Sequence, residues 1–220
     1  PEIMYKMADR RGRLVVMRPD SPMPIARLAA TRLQNEEKPL RLYYTQRIYR
    51  NNPNLTGRSD EVLQSGVELL GASGKRADLE AIATAVEALS CCTPDFRLEL
   101  GHAGFFRVIA DQLPISPEQR EDIRSTIEAK NYAALNTLLD GLEQTPSVAA
   151  MRRLPRLFGG EEVFAEAAPL CRSEEASSML EYLHALYRSL VQLGLGDRLM
   201  VDLGLVQRND YYTGIVFSAY

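Results

Sequence analysis

Two arginines at the ends of a polar loop are the side chains in this sequence best suited to bind an anion. Arg50 and Arg58 flank a segment that contains three asparagines, Pro53 and Gly57, a composition typical of turns. A guanidinium group binds phosphate or carboxylate through two parallel hydrogen bonds. The pattern therefore indicates an anion-binding loop, although a surface hairpin with scattered charges would show the same residues.

Two strands within residues 40–71 are predicted to position this loop. The second strand surrounds two polar residues, Gln64 and Glu68, with aliphatic ones. Runs of β-branched and aromatic residues favour strands, and the turn residues between the two runs predict a hairpin. The residues that indicate the first strand are Leu42, Tyr43, Tyr44, Ile48 and Tyr49.

The hairpin resembles the second signature motif of class II aminoacyl-tRNA synthetases, in the form found in histidyl-tRNA synthetases. The matching pattern is YR, a loop, GR and then E..Q...E..G. The resemblance implies that Arg50 contacts the α-phosphate of ATP. It also implies that Gln64 and Glu68 line a pocket for histidine.

An acidic residue, Asp20, lies between a predicted strand at 14–17 and a predicted helix at 24–34. By itself, a carboxylate or hydroxyl at this junction indicates a helix cap, supplied by Asp20 or Ser21. The surrounding "RPD...PIAR" is similar to the R-P-E/D motif of histidyl-tRNA synthetases, whose acid holds the α-amino group of histidine. The resemblance implies this role for Asp20. Pro22 stands where those enzymes commonly have threonine, so a hydroxyl contact is lost.

The closing stretch contains two adjacent tyrosines, Tyr211 and Tyr212, after a predicted strand at 199–203. An aromatic pair in a strand is typical of a hydrophobic core, and the residues alone do not decide its role. However, "DYYTGIVF" is similar to the histidine-specific motif of histidyl-tRNA synthetases. The resemblance implies that the two tyrosines shape the pocket for the imidazole ring.

Three stretches are closer still to a related family, the regulatory subunits of ATP phosphoribosyltransferase. These stretches are "PIAR", "LELGHAGFFRVI" and "DYYTGIVF.AY". The second contains His102, which has no catalytic partner nearby in the sequence. We therefore predict that His102 is a structural hydrogen bonder. Members of this family are catalytically inactive paralogues of histidyl-tRNA synthetases.

The positions that would supply catalytic charge differ from those of a synthetase. Formation of an aminoacyl adenylate requires positive charge where the transition state is negative. Gln207 and Asp60 stand where synthetases have arginines, and Asn52 replaces the glutamate that positions adenine. Arg208 is one residue along, which on a strand places it on the opposite face. We therefore predict no catalytic residues, no cofactor and no metal site.

The family resemblance implies a regulatory function. Such a protein assembles with the short-form catalytic subunit of ATP phosphoribosyltransferase, is required for the first step of histidine biosynthesis, and conveys feedback inhibition by histidine. Self-association is also expected. The alternatives are a divergent histidyl-tRNA synthetase core and an interaction-only pseudo-synthetase domain of a signalling protein.

Composition and charge limit the protein classes that remain. With 220 residues, 45% of them hydrophobic and 25% charged, the sequence is typical of a soluble globular protein. A net charge of −3 provides no basic surface for nucleic acid, and no apolar run approaches the roughly 20 residues that cross a bilayer. The odd number of cysteines, without metal-site spacing, predicts reduced thiols in a cytoplasmic protein.

The predicted fold is α+β, with an antiparallel sheet of the class II aminoacyl-tRNA synthetase core type, packed helices and a helical insertion. Residues 1–75 are expected to form the first part of the core, and residues 76–196 a mainly helical insertion and connection. Residues 197–220 are expected to supply core strands with the histidine-pocket motif. The chain is expected to be part of a longer protein.

Overall fold

The computed structural model describes residues 4–51, 59–206 and 212–220. The chain divides into two compact units, Pro1–Ala77 and Asp78–Tyr220. Within the described ranges, no helix is both long enough and apolar enough to cross a membrane. The predicted division at residues 75 and 196 remains a prediction for the longer protein.

The first unit is built from two antiparallel ribbons and one helix, and the predicted hairpin is confirmed. Its long strands pair in register, with Gln46 opposite Gln64 and Leu42 opposite Glu68. Because the side chains of a strand alternate between faces, one face carries the even-numbered positions of both strands. The elements are β1 (Lys6–Ala8), β2 (Leu14–Val16), α1 (Pro22–Thr31), β3 (Leu40–Tyr49) and β4 (Glu61–Leu70).

The start of α1 corrects the predicted cap. The helix begins two residues earlier than expected, with Pro22 in its first turn, where a missing N–H is harmless. Ser21 occupies the cap position, but its hydroxyl makes no capping hydrogen bond. The hydroxyl is used instead by two glutamines of the hairpin, described below. Asp20 does not cap the helix either.

The second unit surrounds a four-stranded sheet with helices. The strand order is β6-β7-β5-β8, and the pairs are antiparallel except for β5 and β7, which are parallel. A parallel pair requires a long crossover, which the intervening helices provide. The strands are β5 (Leu98–His102), β6 (Phe158–Gly159), β7 (Leu199–Asp202) and β8 (Ile215–Ala219).

Helices bury the core of this second unit against the sheet. Leu98, Leu100 and Phe105 are fully buried, as are Leu183 and Leu186 of the most regular helix. The helices are α2 (Lys75–Cys92), α3 (Ala103–Ala110), α4 (Pro117–Glu128), α5 (Tyr132–Asp140), α6 (Pro146–Arg153), α7 (Glu162–Ala167) and α8 (Glu174–Gln192). Ser116 caps α4, with both hydrogen bonds of a capping box present.

The junction between β5 and α3 contains no separate turn. The strand continues through Gly101 and His102, which pair with Val216 and Ile215 of β8. A side chain at position 101 would lie 2.6 Å from the carbonyl oxygen of Asp202. Glycine therefore lets the strands approach closely, and the strand passes directly into the helix.

Candidate ligand-binding site

The segment that carries Asp20 is tied to the end of β3. The backbone N–H of Tyr49 donates to the carbonyl oxygen of Arg18 at 2.8 Å. The guanidinium Nε of Arg50 donates to the carbonyl oxygen of Pro19 at 3.2 Å. These two contacts fix the two residues that directly precede the half-buried Asp20. Sequence motifs that are thirty residues apart are therefore adjacent in the first unit.

A buried serine links the two strands of the hairpin. The side chain of Ser21 is completely buried; its hydroxyl accepts a hydrogen bond from Nε2 of Gln46 at 2.7 Å and donates to Oε1 of Gln64 at 3.1 Å. Because its oxygen is used here, the amide of Gln64 has a defined orientation. Its nitrogen makes no hydrogen bond to a described residue and is available as a donor to a ligand.

Tyr44 brings the two candidate acids into one environment. Burial raises the pKa of the Tyr44 phenol above its ordinary value, and the nearby carboxylates of Glu68 and Asp20 raise it further. The Tyr44 ring lies across Gly66, since any side chain at that position would collide with its hydroxyl and ring atoms. Burial also raises the pKa of Glu68. The result is an acidic cluster with a preference for bound positive charge.

The structure places the predicted site residues unevenly. Asp20, Gln64 and Glu68 lie in the first unit, and the last two share the less exposed face of the hairpin. Arg50 is exposed and supports the Asp20 segment through Pro19. Tyr212 lies in the second unit, about half exposed (51%), just before β8. The remaining predicted positions lie outside the described residues: Arg58 and Tyr211 of the site, and Asn52, Gln207 and Arg208 of the lost chemistry.

Asp60, which stands where synthetases have an arginine, has a structural role in the first unit. Its carboxylate accepts a hydrogen bond from the hydroxyl of Tyr5, which raises the pKa of that phenol. Its carbonyl oxygen accepts the backbone N–H of Arg50 at 2.9 Å. This position therefore supplies an acceptor that connects the chain's first strand region to the hairpin, and it supplies no positive charge.

His102 is a structural histidine, as predicted. Its Nδ1 accepts the backbone N–H of Gly104 at 3.1 Å and so caps α3. Burial, followed by the nearby charge of Arg107, lowers the pKa of His102, so the ring is neutral near pH 7. Among the residues that the structure describes, no group of three His, Cys, Asp or Glu side chains is arranged to hold a metal ion. All three cysteines are free.

The residue pattern and the fold agree with known proteins. The model of the histidyl-tRNA synthetase family matches residues 2–220. The chain belongs to the histidyl-tRNA synthetase family. It is 39% identical over 223 residues to a protein from Clostridium kluyveri, and 40% identical over 224 residues to one from Clostridium acetobutylicum, both named ATP phosphoribosyltransferase regulatory subunit. The matches cover 100% of this chain and 57% and 55% of those proteins, so the chain spans about half of their length.

Solved structures confirm the predicted class II synthetase fold. A Bacillus halodurans protein described as an ATP phosphoribosyltransferase regulatory subunit/histidyl-tRNA synthetase matches with a TM-score of 0.92 and 31% identity, over 100% of this chain and 57% of its own. The ATP phosphoribosyl transferase complex from Thermotoga maritima matches with a TM-score of 0.74 and 20% identity, over 98% of this chain and 74% of its own. The second likeness concerns the fold alone. The predicted resemblance to the regulatory subunits is confirmed by the first.

Proposed function

We propose that the protein to which this chain belongs is the non-catalytic regulatory subunit of ATP phosphoribosyltransferase. In this role it assembles with the short-form catalytic subunit, is required for the first step of histidine biosynthesis, and conveys feedback inhibition by histidine. The observation that carries the proposal is the similarity to regulatory subunits, at 39% identity over 223 residues that include all the motifs. We further propose that the protein self-associates and acts in the cytoplasm.

The residues of the first unit favour a protein that has lost synthetase chemistry. A synthetase needs cations around the transferring phosphate, yet Asp60 carries the opposite charge and is engaged by Tyr5. Arg50 is directed to the carbonyl oxygen of Pro19. In the sequence, Gln207 replaces a second cation. The amino-acid side of the site keeps its acids, while the phosphate side has lost two of its arginines, at positions 60 and 207.

The histidine site is proposed to use the acidic cluster for the ammonium group. Asp20 and Glu68 supply the negative charge, since both carboxylates are near enough to Tyr44 to raise the pKa of its phenol. The oriented amide of Gln64 supplies a hydrogen-bond donor. Tyr211 and Tyr212 are proposed to flank the imidazole ring. To this set the structure adds Tyr44 as a further candidate contact.

Feedback inhibition requires that histidine bind one state of the complex more tightly than another. The affinity ratio between the two states sets the coupling free energy, which is typically about 1–3 kcal/mol. A site that only binds histidine, equally in both states, would transmit nothing. We therefore expect the catalytic subunit to change the affinity of this protein for histidine. Because the coupling is reciprocal, histidine should change the affinity between the two subunits by the same factor.

Reconstitution tests the proposed function. We expect the catalytic subunit to gain phosphoribosyltransferase activity when the intact protein is added, and to lose it when histidine is then added. Glu68→Ala should preserve activation and weaken inhibition, because it removes one acid of the proposed ammonium site. Glu166→Ala, an exposed acid of the second unit, is the matched control. Absence of activation would refute the regulatory role, whereas activation with unchanged inhibition in Glu68→Ala would refute the proposed histidine site.

A further inference from the structure

A cavity formed by residues outside the synthetase motifs lies wholly within the second unit. It encloses about 260 Å³ next to the end of α4 and the strands β6 and β7. Its walls combine apolar and aromatic side chains with two cations and one buried carboxylate. The residues that matter are Ile127, Lys130, Tyr132, Arg156, Phe158 and Asp202. A concave site with a few polar groups among apolar and aromatic walls is the usual form of a small-molecule site.

Asp202 lines this cavity and uses one of its carboxylate oxygens to hold the backbone. The residue is nine-tenths buried, with 9% of its surface exposed. Its Oδ1 accepts the backbone N–H of Gly204 at 2.7 Å, whereas Oδ2 accepts no hydrogen bond from any residue that the structure describes. A side chain at Gly204 would lie 2.8 Å from Cα of Pro155 and 3.1 Å from Oδ1 of Asp202. Since Pro155 and Gly204 also line the cavity, the carboxylate is held at its wall.

A largely buried carboxylate with one oxygen that is not hydrogen-bonded within the described residues can accept a further donor. Burial raises the pKa of Asp202, and the charge of Lys130 partly offsets this effect. An ammonium group bound at Oδ2 would satisfy both the hydrogen-bonding capacity and the charge. The geometry therefore points to a ligand with a cationic donor on this side.

Lys130 is held in a conformation that its side chain disfavours. Its φ angle is +53°, in the left-handed region where glycine is preferred. The backbone N–H of Lys130 donates to Ile127 and that of Asn131 to Thr126, each at 2.9 Å, which is the hydrogen-bond pattern of a glycine-type helix end. Nothing in this helix end requires a lysine. A lysine with a left-handed backbone is uncommon, and here its side chain lies at the wall of the cavity.

The two cations at the cavity are available to an anion. Neither Lys130 nor Arg156 forms a salt bridge with a described residue, and both are exposed enough to admit a ligand between them. Carboxylates are preferred partners of such groups. The two cations therefore complement the carboxylate of a zwitterion, and the buried acid complements its ammonium group. The aromatic walls complement an apolar side chain.

We propose that this cavity binds an apolar α-amino acid. Lys130 and Arg156 bind its carboxylate, Asp202 binds its ammonium group, and Tyr132 and Phe158 pack against its side chain. Every residue of this site belongs to the second unit. The proposal is therefore independent of the proposed histidine site, whose acids are in the first.

Calorimetric titration of the intact protein with L-leucine, L-isoleucine, L-methionine and L-phenylalanine tests the proposal. We expect saturable binding of at least one of the four. For the amino acid that binds, the amine that lacks its carboxylate and the acid that lacks its amino group (phenethylamine and 3-phenylpropionate for phenylalanine) should bind at least about tenfold more weakly, or not at all, because one polar anchor is missing. Absence of saturable binding by all four amino acids would overturn the proposal.

Lys130→Gly separates binding from folding. Glycine suits the left-handed backbone, so the variant should be at least as stable as the parent, while its affinity for the bound amino acid should fall at least about tenfold. Asp202→Asn keeps an acceptor for Gly204 and should lose affinity similarly. Arg172→Ala, an exposed cation that does not line the cavity, should change nothing. Unchanged affinity in Lys130→Gly would contradict the proposal. So would amino-acid binding that is lost in Glu68→Ala but kept in Asp202→Asn.

Discussion

The two units of this chain are stabilised in different ways. In the described part of the first unit only two apolar side chains, Ile25 and Ile48, are buried, and the polar Ser21 is the most buried residue of its candidate site. In the second unit, buried leucines, isoleucines and phenylalanines from the sheet and most of the helices form one continuous core. Specific hydrogen bonds therefore organise the first unit, while apolar burial organises the second.

This difference separates changes that affect ligand binding from changes that affect folding. A polar network specifies the orientation of each member but contributes little net free energy per hydrogen bond. A packed apolar core contributes most of the stability and tolerates little loss of volume. Substitutions in the first unit should therefore alter binding at modest cost in stability, whereas core substitutions in the second should unfold the protein.

Truncation of the second core should have the largest effect. Phe105 is fully buried at the start of α3, and Phe105→Ala should lower the free energy of unfolding by about 3–5 kcal/mol through lost burial and a residual cavity. Denaturant titration provides the measurement. Leu193→Ala, at a position 59% exposed, is the control and should cost less than about 0.5 kcal/mol. Equal effects at the two positions would show that this core is not organised as described.

Gly66→Ala should have an intermediate effect, confined to the first unit. The added methyl group collides with the Tyr44 ring, so the ring must move away from the acidic cluster, at a cost of about 1–3 kcal/mol. Histidine affinity should fall with it. Gly214→Ala, where a side chain meets no atom within 4 Å, is the control for stability. Combining Gly66→Ala with Tyr44→Leu should recover most of the lost stability, and a failure to do so would place the collision elsewhere.

Ser21→Ala should have a smaller effect on stability than on binding. The two glutamines that share the hydroxyl lie opposite one another, so their amides can bond directly, which limits the cost to about 1 kcal/mol. The orientation of Gln64 changes, and histidine affinity should fall. Ser65→Ala removes the hydrogen bond between the hydroxyls of Ser65 and Thr45 on the exposed face. It should change neither stability nor histidine affinity. Similar losses of binding in both variants would contradict the proposed role of the network.

The pH dependence of histidine binding should show the smallest effect. The pKa of Glu68 is raised by burial, and a bound ammonium group favours its charged form, so affinity should fall as the pH falls through that raised pKa. The contribution of Glu68 to folding stability depends on pH with the opposite sign. Since the folded-state pKa exceeds the unfolded one, this group stabilises the fold at low pH, and the contribution is lost as the pH rises through the folded-state pKa. Calorimetry across this range should give a flatter profile for Glu68→Gln.

The sequence predicts the strands, the regular helices and the family because these depend on local pattern and on motif spacing. It does not predict the role of Ser21, since a serine before a helix is typical of a cap, and the opposition of Gln46 and Gln64 appears only once the register is known. The sequence does not indicate that β5 continues through Gly101 to His102, because glycine usually indicates a turn. Here a close approach of β7 requires it.

The cavity of the second unit could not be predicted from the sequence. Lys130 and Asp202, a cation and an acid that line it, are far apart in the sequence, and neither belongs to a motif. The left-handed backbone at Lys130 leaves no signal in residue type, because lysine ordinarily continues a helix. Long-range packing alone brings these groups together.

A calorimetric titration of the intact protein with histidine, in the presence and absence of ATP and magnesium, tests most directly whether ligand recognition has been kept without synthetase chemistry. We expect saturable histidine binding and no release of pyrophosphate under either condition. Pyrophosphate release that depends on both histidine and ATP would contradict it and would identify an active histidyl-tRNA synthetase.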